Sequence, residues 1–215
     1  MLFRSDGKTV TTGGTGPVTV TSVLGAGNIT VNATGNSNVT ADNDGAGTIT
    51  VTGLDDGDTF RSNGSGGGNT VVDDPTGDLT VLNTGTSPVV ITGFDNNAKL
   101  TIPAEGTGPV SVTPAVPGSN LEIENQGNGL VTLNTTGGTV TITGDGPVTV
   151  IDPSATVTII NNGTGTVTVP ADVNSDLFNA SGSNDTVINN PTGDVTVANT
   201  GTGTVTVNEI GRAHV

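Results

Sequence analysis

The chain has 215 residues, a formal net charge of −15, 12% charged residues, 2% aromatic residues and no cysteine. This charge disfavours nucleic acids and anionic membrane surfaces as partners, and the lack of cysteine excludes disulfide bonds and thiol chemistry. So few aromatic side chains cannot fill an ordinary globular core, whereas the abundant β-branched residues argue against disorder. The composition therefore indicates an all-β protein built from many short strands.

Short segments that alternate apolar and polar residues recur along the chain, with Asn, Gly, Asp, Pro and Thr between them. The recurrence of these segments at intervals of roughly ten residues predicts about twenty strands separated by turns. In chain order the clearest segments are Val18–Val20, Ile29–Val31, Ile49–Val51, Leu79–Val81, Leu100–Ile102, Val110–Val112, Leu121–Ile123, Val140–Ile142, Val148–Val150, Val157–Ile159, Val167–Val169, Val195–Val197 and Val205–Val207.

Each strand is expected to bury one face, because successive side chains of a strand point in opposite directions. Val167 and Val169 are therefore predicted to point inward, and Thr166 and Thr168 outward. We predict a parallel β-solenoid, in which each coil stacks on the one before it. A coil would take about 20 residues with two faces or about 30 with three, and the sequence leaves this open. Tandem β-sandwich modules are the alternative.

A longer repeat overlies the short one. Thr70–Thr86 recurs as Thr186–Thr202, with identical residues at 12 of 17 positions, and Gly45–Phe60 recurs more loosely as Gly163–Phe178. The offset of 116–118 residues predicts a super-repeat within a single repeat region, residues 6–208. The two ends, residues 1–5 ("MLFRS") and 209–215 ("EIGRAHV"), resemble a translated short-read sequencing adaptor in opposite orientations, and are expected to be adaptor-derived and non-structural.

The residue types needed for catalysis are scarce. The chain has one histidine, His214 in the adaptor-like end, and no cysteine or tyrosine, and its acidic residues are scattered through turns. Serine and threonine are plentiful, but no base is available to activate them. The sequence therefore predicts no enzyme activity, no catalytic residue and no required cofactor.

One turn carries a possible metal-binding pattern. The stretch Gly182–Val187 resembles the haemolysin-type (RTX) repeat, and Asp176 lies nine residues before Asp185. Ala180 and Ser181 replace the glycine pair of that repeat. In that family such turns bind Ca²⁺ through carboxylates and carbonyls between consecutive coils. The resemblance implies Asp176, Asn184 and Asp185 as Ca²⁺ ligands; an ordinary Gly/Asn turn is the alternative.

Outward Thr-x-Thr pairs, such as Thr48/Thr50 and Thr166/Thr168, resemble the threonine arrays of ice-binding β-solenoids. The pattern is interrupted at Arg61, Glu122, Phe178 and Asp194.

The acidic, cysteine-free Thr/Asn/Gly/Val repeats as a whole resemble repetitive bacterial surface adhesins and exoproteins. This resemblance implies an extracellular or cell-surface stalk or filament whose partners are the neighbouring repeats of the same chain. No nucleic acid and no membrane insertion are expected, and the resemblance names no external ligand.

Overall fold

A computed structural model describes residues 2–3, 8–12, 15–22, 27–35, 38–135, 137–151, 157–169, 176–180, 182–183, 185–189 and 195–208. These residues form twenty-two short strands and no helix, and so provide no helix long and apolar enough to cross a membrane. The strands are β1 (Leu2–Phe3), β2 (Lys8–Thr11), β3 (Val18–Ser22), β4 (Ile29–Asn32), β5 (Asn38–Asn43), β6 (Ile49–Thr52), β7 (Asp58–Ser62), β8 (Thr70–Asp73), β9 (Leu79–Asn83), β10 (Val89–Phe94), β11 (Lys99–Ile102), β12 (Val110–Pro114), β13 (Leu121–Asn125), β14 (Val131–Asn134), β15 (Gly138–Thr143), β16 (Val148–Ile151), β17 (Val157–Asn161), β18 (Val167–Val169), β19 (Asp176–Ala180), β20 (Thr186–Asn189), β21 (Val195–Asn199) and β22 (Val205–Asn208).

The strands alternate between two parallel sheets. The odd-numbered strands form sheet A and the even-numbered strands form sheet B, each with eleven strands in sequence order. Residues that pair between neighbouring strands are 17 to 23 positions apart in sequence. Val131 and Val148 have the shortest separation, and Lys99 and Glu122 have the longest. One coil therefore contains two strands and two turns. This confirms the β-solenoid and selects the two-faced coil; the β-sandwich alternative is wrong because sandwich strands pair antiparallel.

The core lies between the two sheets and is built from in-register columns of aliphatic side chains. Val167 and Val169 are buried, whereas Thr166 and Thr168 lie on the outer side, which confirms the predicted alternation. Each coil adds about two inward side chains from each sheet, and burial of each is worth about 1.5–3 kcal/mol. Stability thus accumulates from coil to coil, as in other repeat proteins.

The two copies of the long repeat occupy equivalent places, since Thr70–Thr86 contains β8 and β9 and Thr186–Thr202 contains β20 and β21. At the amino-terminal end, Leu2 and Phe3 pair with Thr21 and Ser22. Residues 4–7 and 209–215 lie outside the described residues. The proposed boundaries of the repeat region stay predictions.

Candidate functional site

The turns that lead from sheet A to sheet B are held by buried asparagine side chains. Asn83, fully buried at the end of β9, donates from Nδ2 to the carbonyl oxygen of Ser87 at 3.1 Å within its own turn. The same nitrogen donates to the carbonyl oxygen of Pro109, one coil further on, at 2.9 Å. Its Oδ1 accepts the N–H of Gly85 at 3.2 Å. One side chain thus closes its own turn and ties it to the next coil.

We call this arrangement the asparagine bracket, and it recurs at the corresponding ends of β5 and β13. Asn43 and Asn125 are also fully buried and make the same three bonds. The neighbouring strands carry Ser62 and Ile102 at the positions that pair with Asn83 and Asn125. The described brackets therefore sit on alternate coils, which gives this edge a structural period of two coils.

A glycine of the following coil makes room for each bracket. A Cβ on Gly108 would lie 2.4 Å from Nδ2 of Asn83 and 2.3 Å from the carbonyl oxygen of Gly85. Gly146 has the same relation to Asn125. Neither the bracket nor its sequence signature, Asn-x-Gly-x-Gly/Ser, was predicted from the sequence, which indicated only Asn-rich turns. The signature is present at Asn43, Asn83, Asn125, Asn161 and Asn199.

The turns that lead from sheet B to sheet A carry aspartates instead. In the consecutive turns around residues 52–58 and 73–78, carboxylate oxygens accept backbone N–H groups of the adjacent coil. Asp56 accepts the N–H of Asp78 at 2.8 Å, and Asp78 accepts that of Lys99 at 2.7 Å. Asp58, at 7% exposure, accepts the N–H of Asp55 at 2.7 Å. The carboxylates of Asp56 and Asp78 thus link adjacent coils, whereas that of Asp58 closes its own turn.

The predicted calcium ligands are only partly within the described residues. Asp185 is exposed, and its Oδ1 accepts the N–H of Thr204 on the next coil at 2.9 Å. Asp176 begins β19, but its side chain is not among those described, and Asn184 lies outside the described residues. Across the described part of the chain, no three histidine, cysteine, aspartate or glutamate side chains are grouped so that they could hold a metal ion. The calcium site therefore stays a prediction.

The outer surface of sheet A carries a three-residue ion-pair cluster. Nζ of Lys99 lies 3.0 Å from Oε1 of Glu122 and 2.6 Å from Oε2 of Glu124. The hydrogen bond from Lys99, with a second from Gln126, lowers the pKa of Glu124. In return, hydrogen bonds to Glu124 and then Glu122 raise the pKa of Lys99, against partial desolvation. The cluster strengthens the pairing of β11 with β13.

Replacing Lys99 with glutamine is expected to reduce stability by about 0.2–1 kcal/mol at neutral pH, the range for exposed ion pairs. Because the folded pKa of Glu124 is lowered, its contribution exists above its unfolded pKa and is lost as pH falls through the folded value. Because the folded pKa of Lys99 is raised, its contribution is lost as pH rises through that value. Urea unfolding of both proteins across pH 2–12 measures this difference, with the Arg61→Gln chain as the matched control. A stability difference that did not shrink at either pH extreme would contradict this account.

Sheet A also has two shallow surface depressions. One, of about 390 Å³, is lined by residues that include Asn97, Glu122 and Thr141. The other, of about 360 Å³, is lined by residues that include Arg61 and Glu105.

The outer surface of sheet B differs from sheet A in charge. Lys8 and Asp73 are the charged residues of its strands, whereas the strands of sheet A contain five acidic and two basic residues, of which Asp58 is buried. One outward column runs in register through all eleven strands and contains only threonine, valine and serine. We call it the neutral column: Thr9, Thr30, Thr50, Val71, Val90, Ser111, Thr132, Thr149, Thr168, Val187 and Thr206.

Comparison of the chain with models of protein families, with curated proteins and with solved structures found no match.

Proposed function

We propose that this chain is a non-catalytic structural segment, a stalk or filament of a large secreted or cell-surface bacterial protein of the adhesin class. The asparagine bracket supports this proposal most directly. In each bracket one buried side chain forms hydrogen bonds to two coils, and this arrangement keeps the rod continuous. The resemblance to repetitive surface proteins supplies the class, and extracellular localisation follows from it as part of the same proposal.

The distribution of polar groups supports the same role. Several described aspartates accept backbone N–H groups of adjacent coils, as at Asp56 and Asp78. The outer positions of the strands carry mainly threonine and other small or β-branched residues, which favour strand geometry. A rod of this kind needs no cofactor and finds its main partners in its own neighbouring repeats.

Single-molecule force spectroscopy tests the proposal. The chain is held between two inert handle domains attached at its ends and stretched at constant speed. We expect distinct force peaks, followed by refolding on relaxation, because each coil is joined to the next by a parallel ladder and the described brackets add a further link at alternate junctions. A chain that extends smoothly with no force peak would not serve as a stalk, and the proposal would fail.

Calcium provides the test of the RTX alternative. Thermal unfolding is measured in CaCl₂ and in MgCl₂ at matched ionic strength. For a plain structural rod both salts screen the net charge of −15 equally, so the two melting temperatures are expected to agree within about 1 °C. A rise specific to Ca²⁺ that is abolished by Asp185→Asn would favour a calcium-stapled module instead, because a ligand stabilises the state it binds.

The ice-binding alternative depends on regular threonine rows, and the sheet B surface provides one such row in part. Valine interrupts the neutral column at Val71, Val90 and Val187. The adjacent outward column is more mixed and includes Asn32, Asp73 and further residue types. The geometry therefore favours the structural role.

A further inference from the structure

We propose that the outer surface of sheet B is the surface through which two copies of this chain pack side by side, face to face. The proposal rests on the stalk function and deepens it by naming the partner, a second copy of the same rod. It depends on three features: the charge distribution, the in-register neutral column and the size of the surface.

The charge distribution restricts where two copies can approach each other. Each copy has a net charge of −15, so contact through an acidic surface is opposed by repulsion. The edge turns carry aspartates such as Asp55 and Asp56, and the outer surface of sheet A carries Glu122 and Glu124 against the single Lys99 that pairs with them. The strands of sheet B expose one acidic side chain, Asp73, at the margin of the surface, and a second, Asp185, lies just before β20. Of the surfaces described, sheet B meets an identical copy with the least repulsion.

The neutral column provides a surface that is complementary to itself. Its members stand at the strand spacing of about 4.8 Å and leave grooves between them. Most are half-buried by their neighbours, so little side-chain freedom is left to lose on contact. Columns of identical β-branched side chains interdigitate well across facing sheets, which pack about 10 Å apart. A second copy therefore fits this surface, with hydroxyl groups able to pair across the contact.

The size of the surface is at the lower end of the range for specific interfaces. Eleven strands at about 4.8 Å give a length of about 48 Å, and the two outward positions of a typical strand together with the residue just before it, at about 6.7 Å spacing, give a width of about 13 Å. The resulting patch of roughly 600 Å² approaches the ~800 Å² per partner of a standard stable interface. A pair held in this way is expected to be of moderate affinity and to bundle stalks laterally.

Analytical ultracentrifugation of the full chain tests the proposal over concentrations up to about 500 µM, where moderate affinities are detectable. We expect a monomer–dimer equilibrium. The double variant Thr50→Glu/Thr149→Glu adds two charges to the sheet B surface and is expected to weaken dimerisation at least tenfold. The matched control, Thr40→Glu/Thr80→Glu, adds the same charge to the outer surface of sheet A and is expected to change the dissociation constant less than threefold.

A cysteine probe locates the contact, because the natural chain has no cysteine. Ser111 lies on β12, the middle strand of sheet B, where a two-fold axis would bring the two copies together. The Ser111→Cys chain is expected to form a disulfide-linked dimer at least tenfold faster than the Thr101→Cys chain, whose probe is on the middle strand of sheet A. Equal rates would overturn the proposal.

Three other results would also overturn it: a chain that stays monomeric, equal weakening by both double variants, or association that neither variant weakens, as expected for end-to-end stacking. A monomer that instead inhibits ice recrystallisation would assign the same surface to ordered water. Force spectroscopy observes single molecules, so these outcomes leave the test of the stalk function intact.

Discussion

Replacing Asn83 with alanine is expected to lower the free energy of unfolding by about 3 kcal/mol. The change removes two donated hydrogen bonds and one accepted bond at a fully buried position. It leaves the carbonyl groups of Ser87 and Pro109 without this donor, and each buried polar group left unpaired costs about 1–3 kcal/mol. Urea unfolding followed by circular dichroism measures the loss. Hydrogen exchange should show faster exchange at Gly85 and in the coil that follows it.

Asn199 provides the matched control. It has the same signature and makes two of the bracket bonds, to the carbonyl of Gly203 at 2.8 Å and from the N–H of Gly201 at 3.1 Å. Its side chain is exposed, so water can replace these bonds. Asn199→Ala is therefore expected to cost less than about 1 kcal/mol. If both substitutions lowered the free energy of unfolding equally, burial and the link between coils would contribute nothing to the stability at Asn83.

Replacing Gly108 with alanine is expected to be at least as damaging, with a loss of about 3 kcal/mol or more. The new methyl group would lie 2.3 Å from the carbonyl oxygen of Gly85 and 2.4 Å from the amide of Asn83, so the two coils would have to separate. Forcing atoms into a packed interior usually costs about 1–3 kcal/mol, and here the bracket is lost as well. Thermal unfolding followed by circular dichroism measures this change.

Gly67 is the control for Gly108 because it lies in a turn of the same kind. A Cβ at Gly67 would meet no atom within 4 Å. Gly67→Ala is expected to leave stability unchanged or to raise it by about 0.4–1 kcal/mol, since alanine reduces the freedom of the unfolded chain. If Gly67→Ala and Gly108→Ala were equally harmful, the close approach at the bracket could not be the cause.

The fold could be predicted because its main determinant is local and repeated. Strand residues such as Val167–Val169 show the alternation directly, and the ten-residue interval leaves no room for helices. The number of strands in a coil could not be predicted, because both a two-strand and a three-strand coil place the same valines inward. That choice depends on how tightly the turns close, and the turns of about five residues at Asn43 and Asn83 close through side-chain bonds that a strand pattern does not reveal.

The candidate site was harder to predict than the fold. The sequence interpretation directed attention to Asp176, Asn184 and Asp185, of which the structure describes a hydrogen-bonding role for Asp185 alone. The neutral column was not foreseen, since it depends on which residues of successive coils share a register. Thr50, Val71 and Val90 are about twenty residues apart in sequence and become neighbours only when the coil length is known.

The two-strand coil has a consequence for extensibility. A coil of about 20 residues lengthens the rod by only about 4.8 Å, yet the same residues span about 68 Å when drawn out. The rod therefore contains roughly fourteen times its own length in extended chain. The described brackets join coils in pairs, so we expect each unit released under tension to be one pair of coils. Release of one pair adds about 130 Å to the length. A stalk of the kind proposed above would therefore lengthen in steps under tension.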